Sequence, residues 1–462
     1  MKTYHLVGVG GIGMSAIARI LLARGEAVSG SDLAPTPLLD RLRREGVRVT
    51  IGHDAGNVAT AHTVVVSSAI DRRNPECQAA ERLHVPILHR GEMLARLLSE
   101  RRGIAVCGTH GKTTTTAMAH AVLRFGGVDA GLVLGGIDAA LDSNAHEGTS
   151  PWFVTEADES DGSFALLQPE IAVVTNVEND HLTSDDELPG LVRAFAEFLA
   201  KLPAGGLAVV GTDDPLAASL TAHDLRARVV TFGLDPGAQV RAERLRFAGF
   251  GSSFEVVAGG RGLGAATLPV PGAMNVQNAL AAIAVGIELG VPFDHIAAAL
   301  RAFRPVRRRF DVLVSSERLT LVDDYAHHPT AVRATIAAAR HCHRGPVVVA
   351  FQPHRYTRTA YLAREFAEAL HGADSVYLAP VYAASEPAIP GVSERSIGDA
   401  LAAMGTRVTY VSNVGELEER LPAEAPAGAI VLMLGAGNIT AVAADLARRL
   451  LAAAPARASA GA

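Results

Sequence analysis

The stretch CGTHGKTTTTAM, residues 107–118, decides how the chain is read. It follows the apolar run GIAV and opens a helical pattern, TTTAMAHAVLRF. Strand, glycine loop and helix together form the context of a phosphate site, where free backbone N–H groups and a lysine meet an anion. The loop is shorter than usual. In G-x-x-x-x-G-K-[ST] the first glycine stands five residues before the second, a place held here by Val106, and the glycine is Gly108. If Gly108, Thr109, His110 and Gly111 cradle a triphosphate, Lys112 reaches its outer phosphates and Thr113 and Thr114 follow at the helix start, Thr113 helping to hold Mg2+.

Residues further along supply a reason to take the short loop seriously. TEADESDGSF (155–164) puts Glu156 at the end of the strand pattern WFVTE, with Asp158, Glu159 and Asp161 crowded behind it. TNVENDHL (175–182) follows the strand pattern IAVVT and brings Asn176, Asp180 and His181. Ligands of parallel sheets gather at the carboxyl ends of the strands. Glu156 and His181 are therefore expected near the loop, where a carboxylate and an imidazole suit Mg2+ shared with ATP oxygens. Asp161 is equally well read as part of a solvated loop.

A second glycine loop lies at the N-terminus. GVGGIGMSAIA (8–18) carries Gly8, Gly10, Gly11 and Gly13, and Gly8-x-Gly10-x-x-Gly13 matches a dinucleotide fingerprint between a strand and a helix. Asp32 follows at a distance that suits a ribose contact. This pattern alone fits NAD, any other nucleotide diphosphate, or a tight turn with no ligand.

Three further clusters come late in the chain. RRRF (307–310) supplies Arg307, Arg308 and Arg309; VDDYAHHPTA (322–331) supplies Asp323, Asp324, His327 and His328; FQPHRYTRT (351–359) supplies His354, Arg355 and Arg358. The last two follow apolar strand patterns. Arginines at strand ends suit carboxylate or phosphate recognition. The adjacent histidines lack the i,i+4 spacing of a helical zinc pair.

The frame around these motifs is α/β. Apolar runs such as YHLVGV, TVVVSSA, IAVVTNV, LAVVGT, LTLVDDY, PVVVAF and AIVLML alternate with amphipathic helical patterns, which implies βα units and mostly parallel sheets. VRAERLRFAGFGSSFEVVAGGRG (240–262) reads as antiparallel hairpins, and a helical pair follows. The 462 residues divide into three blocks, 1–102, 103–305 and 306–462. With 49% hydrophobic and 19% charged residues and a net charge of −6, nothing suggests a nucleic-acid surface. Three scattered cysteines, Cys77, Cys107 and Cys342, fit a reducing compartment rather than a disulfide framework. Glycines and Arg19 interrupt the N-terminal apolar run, so neither a signal peptide nor membrane insertion is expected, and the location expected is the cytoplasm. Cys107, beside the loop, reads as a small buried residue rather than a nucleophile.

GVGGIGMSAIA, GTHGKTTTT, EADESDGSF, TNVENDHL, RRRFD, DDYAHHPT, FQPHRYTR and GAGNI, in that order and over nearly the whole chain, resemble the Mur ligases. GTHGKT marks the superfamily; the first loop with DDYAHHP and FQPHRYTR is similar to its alanine-adding branch. The resemblance implies a Rossmann-like N-terminal domain, a central P-loop-type ATPase domain and a Rossmann-like C-terminal domain. It implies an ATP-dependent ligase that joins L-alanine to the lactyl carboxylate of UDP-N-acetylmuramate, with Mg2+, as a monomer or weak homodimer. Gly8, Gly10, Gly11, Gly13, Met14 and Asp32 are then expected to bind the UDP-sugar rather than NAD. Thr113, Glu156 and His181 are expected to hold Mg2+, Asn275 and Asn278 to meet the adenine, and Arg309 and Asp324 to reach ATP. His327, His354, Arg355 and Arg358 are expected on the amino-acid side. Two residues depart from the family pattern: Met274 stands where PGxHNxxN has histidine, and Ala331 where HHPT is followed by glutamate. Two other readings are a recycling ligase that attaches a whole tripeptide to the same sugar and an NAD-dependent dehydrogenase. The dehydrogenase leaves the second loop and the metal residues without a role.

Overall fold

The computed structural model describes residues 1–159, 162–179 and 187–453. Asp161, Asp180 and His181 lie outside the described residues. Three sheets organise the chain. The first is parallel throughout, in the order Arg48–Ile51, Ala27–Asp32, Thr3–Val7, Thr63–Val66, Ile87–His89. Local chemistry sets its helices. Pro37–Glu45 begins with Thr36 accepting from the Leu39 N–H, has proline in its first turn and ends at left-handed Gly46. Arg90–Ser99 begins with a capping box between His89 and Glu92.

The second sheet has ten strands, in the order Arg261–Leu268, Gly251–Ala258, Val240–Ala248, Arg228–Gly233, Leu207–Gly211, Ile171–Val174, Arg102–Cys107, Trp152–Glu156, Gly131–Asp138, Ser143–His146. From Val240–Ala248 to Gly131–Asp138 neighbours run parallel, and the outer pairs are antiparallel. Its middle strands are buried on both faces, which explains their unbroken apolar sequences. Alternate residues serve the two faces. Ile104, Val106, Val173 and Val209 pack under the helices Lys112–Phe125, Ala273–Glu288 and Phe293–Ala302. Ala105, Cys107, Ala172 and Val174 join a core that contains Phe195 and Phe198 and runs on into Leu6 of the first sheet and Ile17 and Leu21 of its helix Ile12–Ala23. The first two sheets thus share one apolar body.

The third sheet follows the order Asp311–Ser315, Leu319–Asp324, Ala429–Leu434, Val347–Phe351, Ser375–Leu378, Arg407–Tyr410, parallel but for its first strand. Helices cover both its faces, with Ile336, Phe366 and Leu401 on one side and Leu417, Leu421 and Leu446 on the other. The three-part α/β architecture with mostly parallel sheets is as expected, and the stretch from Val240 forms the antiparallel hairpins. The strands Gly131–Asp138 and Ser143–His146 have no such apolar run in the sequence; glycines and polar residues make up half or more of each.

Candidate active site

Strand Arg102–Cys107 runs through the centre of the large sheet and delivers the short loop to the N-terminus of helix Lys112–Phe125. Two glycines are sterically required. Gly108 has φ +119° and a Cβ there would stand 2.2 Å from Thr175 Oγ1; Gly111 has φ +82° and a Cβ would stand 2.4 Å from Asn278 Oδ1. The TNVE segment buckles the loop in place. His110 donates its backbone N–H to Asn176 Oδ1 at 2.8 Å, and Thr175 Oγ1 donates to the His110 carbonyl at 2.6 Å. Thr109 Oγ1 accepts from the Glu178 N–H at 2.8 Å. Cys107 is buried with its Sγ toward the Val173 carbonyl, and burial pushes its thiol well above the ordinary range, so it offers no nucleophile.

Lys112 folds back over the loop. Its Nζ donates to the Gly108 carbonyl at 2.6 Å and to both oxygens of Glu159 at 2.9 Å. Burial favours the neutral amine, but the charges of Glu159, Asp158 and Glu156 outweigh it and raise the pKa, so the ammonium is held charged. Next to it Thr113 Oγ1 donates to Glu156 Oε2 at 2.9 Å, and Gly135 donates its N–H to the other carboxylate oxygen. Burial pushes the Glu156 carboxyl up against the pull of Gly135, Arg309 and Thr113. A hydroxyl and a carboxylate so placed are hard oxygen donors of the kind Mg2+ takes.

The third sheet reaches the same place. Asp324 staples the arginine loop, accepting from the Phe310 N–H at 2.6 Å and the Ala326 N–H at 2.7 Å. Arg309 Nη2 donates to Thr113 Oγ1 at 3.2 Å, and the guanidinium groups of Arg308 and Arg309 lie 4.7 and 4.9 Å from the Tyr325 ring centre. Asn278 Oδ1 accepts from Thr115 Oγ1 at 3.1 Å and so ties helix Ala273–Glu288 to the loop's helix.

A cavity of about 730 Å3 opens where the three parts meet. Thr109, His110, Gly111, Lys112, Thr113, Thr114, Glu156, Asn275, Asn278, Arg309, Asp324, His327 and Gly13 line it. Of the other expected residues that the structure describes, Gly8, Gly10, Gly11, Met14, Asp32, Gly108, His354, Arg355 and Arg358 are not among its lining. His354 stacks on Tyr382 and meets His327 edge-on at 5.7 Å, Arg358 Nη1 is 3.4 Å from His354 Nδ1, and Arg355 lies 4.0 Å from Glu386. The first loop sits at the carboxyl ends of its sheet, where Gly10 donates its N–H to Asp32 Oδ2 at 2.8 Å. Met14 is buried in the apolar core, with its side chain beneath Gly11 of the loop. Met274 and Ala331, the two departures from the family pattern, both line the cavity and both pack on the third sheet's core.

Several residues here take roles that the sequence did not assign. Glu159 is the partner of Lys112, and Glu178 joins His110 at 3.2 Å. Asp213 accepts from the Leu234 N–H and from Gln277. Each stands just after an apolar strand pattern, which was the available signal.

Models of the family match in chain order: "Mur ligase family, catalytic domain" over residues 3–102, "Mur ligase middle domain" over 106–286 and "Mur ligase, glutamate ligase domain" over 308–437. The chain belongs to the Mur ligase family. Among other Mur ligases it is 45% identical to the UDP-N-acetylmuramate–L-alanine ligase of Acidithiobacillus ferrooxidans, over 96% of this chain and 97% of that one. It is 45% identical to the enzyme of the same name from Solibacter usitatus, over 94% and 92%. Its structure is similar to the UDP-N-acetylmuramate–alanine ligase of Thermotoga maritima, with TM-score 0.83, 31% identity and 98% and 100% coverage. It is also similar to a murein peptide ligase of Psychrobacter arcticus, with TM-score 0.72, 25% identity and 98% of each chain.

Proposed function

We propose that this Mur ligase joins L-alanine to the lactyl carboxylate of UDP-N-acetylmuramate at the expense of ATP, a step of peptidoglycan precursor synthesis, in the cytoplasm. The observation that carries the reading is the cavity in which Lys112, the Thr113–Glu156 pair and Arg309 converge from two sheets, with the first loop's Gly13 at its rim. Among the described residues no helix is long and apolar enough to cross a membrane.

A carboxylate is a poor acyl donor because its leaving group would be oxide. In the proposed sequence a lactyl carboxylate oxygen attacks the γ-phosphorus of ATP, ADP departs and an acyl phosphate forms. The neutral amine of L-alanine then attacks the acyl carbon, loses a proton and expels phosphate, leaving an amide. Lys112 exchanges Glu159 for the γ-phosphate and stabilises its spreading charge, and Arg309 adds to it from the third unit. Thr113 and Glu156, with His181, would hold Mg2+, which would supply charge neutralisation to the phosphates. Asn275, Asn278 and Asp324 seat the nucleotide. The first loop, with Gly8, Gly10, Gly11, Gly13 and Asp32, seats the UDP-sugar, and His327, His354, Arg355 and Arg358 seat alanine through its carboxylate. Residues 1–102, 103–305 and 306–462 serve as sugar, ATP and amino-acid units. Approach of the units excludes water, which would otherwise hydrolyse the acyl phosphate.

The test is incubation with ATP, Mg2+ and UDP-N-acetylmuramate, with either L-alanine or L-alanyl-γ-D-glutamyl-diaminopimelate, followed by mass spectrometry. The expected product is UDP-N-acetylmuramoyl-L-alanine. Product only with the tripeptide would replace this reading by the recycling one.

A further inference from the structure

The side chains of one cluster at the cavity rim have no part in the chemistry above, although the backbone of one member belongs to the ATP loop. His110 of the loop, Glu178 beyond strand Ile171–Val174 and His328 at the start of helix Pro329–Cys342 bring one donor atom each within 4.8 Å of one another. His110 Nε2 lies 3.2 Å and His328 Nδ1 3.9 Å from Glu178 Oε2. Donors sharing a tetrahedral ion at bonds of ~2.0–2.1 Å stand about 3.4 Å apart. The first distance already fits; the second needs an approach of roughly half an ångström.

The surroundings prepare these atoms as ligands. His328 Nε2 donates a hydrogen bond to the Asn179 carbonyl at 3.2 Å, which leaves the Nδ1 lone pair facing Glu178. Thr330 Oγ1 donates to Glu178 Oε2 at 2.7 Å and fixes the carboxylate. Two imidazoles and a carboxylate suit zinc, cobalt or nickel rather than the all-oxygen set that Mg2+ prefers.

We infer that His110, Glu178 and His328 form a transition-metal site that bridges the ATP loop and the third unit, separate from the Thr113–Glu156 pair. His110 and Glu178 belong to the large sheet's unit and His328 to the third. A bound ion therefore clamps the two together and pins the loop through His110. The inference does not rest on the ligase reading, since it concerns ions bound without substrate.

The probe is Co2+ alone, titrated into metal-free protein without nucleotide and followed by its visible d–d absorption. We expect one equivalent bound, weakened at least tenfold by His328→Ala and by the isosteric Glu178→Gln. Thr330→Val should weaken it about tenfold by freeing the carboxylate, and Glu156→Gln should leave it unchanged. Circular dichroism confirms that each variant is folded, and Glu178→Gln carries the test if His328→Ala is not. Titrations that ignore His328 and Glu178, that vanish with Glu156→Gln, or that show sulfur-to-cobalt charge transfer would overturn the site.

Discussion

The two glycine loops look alike in sequence and differ in what holds them. In both, an acid of the chain stands against the group expected to meet phosphate: Asp32 on the Gly10 N–H, Glu159 on the Lys112 ammonium. The first arrangement has fewer outside partners. Asp32 also accepts from the next residue's N–H, a Cβ on Gly10 would meet the Asp32 carboxylate at 2.7 Å and Leu39 Cδ2 at 3.3 Å, and Asn144 of the large sheet donates to the Ile12 carbonyl at 2.6 Å. The second is bound on every side, by Thr175, Asn176 and Glu178, by Asn278 of a distant helix and by Arg309 of another sheet. A glycine pattern states that a backbone turns tightly. The partners that arrive from elsewhere state what the turn is for.

The largest effect that would break this contrast is at Lys112. Lys112→Ala is expected to lower kcat at least about 10^3-fold with the fold intact by circular dichroism. It strands Glu159, so the melting temperature should fall, and adding Glu159→Gln should recover part of that fall without recovering turnover. Next come the glycines. Gly111→Ala forces an alanine to positive φ against Asn278, a strain of roughly 1–3 kcal/mol, or about five- to 150-fold in ATP-dependent turnover. Gly10→Ala displaces only the end of a side chain and should raise KM for the UDP-sugar a few-fold with KM for ATP unchanged. Equal effects at the two glycines would erase the difference between the loops.

The smallest effect concerns stability alone. Glu76, buried beneath the first loop, accepts from Ser31 Oγ at 2.6 Å and lies 3.2 Å from His53. Burial pushes its carboxyl up, but His5, Ser31 and Asn57 outweigh burial and hold it at about 2. A carboxyl depressed in the folded state contributes stability above its unfolded value and loses it as pH falls through the folded one. The first unit should therefore weaken between about pH 4.5 and pH 2. Denaturant melts of Glu76→Gln should show a flatter acid limb, with little change in turnover at neutral pH.

Much of this molecule is legible without coordinates, for a physical reason. Strands of a doubly covered parallel sheet must be apolar throughout, so GIAVC, IAVV, LAVVG and AIVLML announce themselves, and the loops at their carboxyl ends gather the polar residues. Ser143–His146 lacks that signature because it is the edge strand, and Gly131–Asp138 beside it carries only three successive apolar residues, Leu132, Val133 and Leu134, between its glycines. The partners of Glu159 and Glu178 were hidden for another reason. Acidic residues in a run look interchangeable, and only the fold decides that Glu159 meets Lys112 while Glu178 meets His110. Met274 and Ala331, 57 residues apart in the numbering of one chain, gave no sign that both would pack on one apolar core. The residues expected around alanine lie beside the cavity rather than in it, except His327, which lines it.

The central claim is that the cavity makes an acyl phosphate. The direct test uses UDP-N-acetylmuramate carrying 18O in both lactyl carboxylate oxygens, with ATP, Mg2+ and L-alanine, and reads the mass of the phosphate released. The account predicts one 18O in every phosphate and one retained in the amide product. Unlabelled phosphate formed together with amide would mean that the carboxylate oxygen never joined the γ-phosphorus, and the account would be wrong.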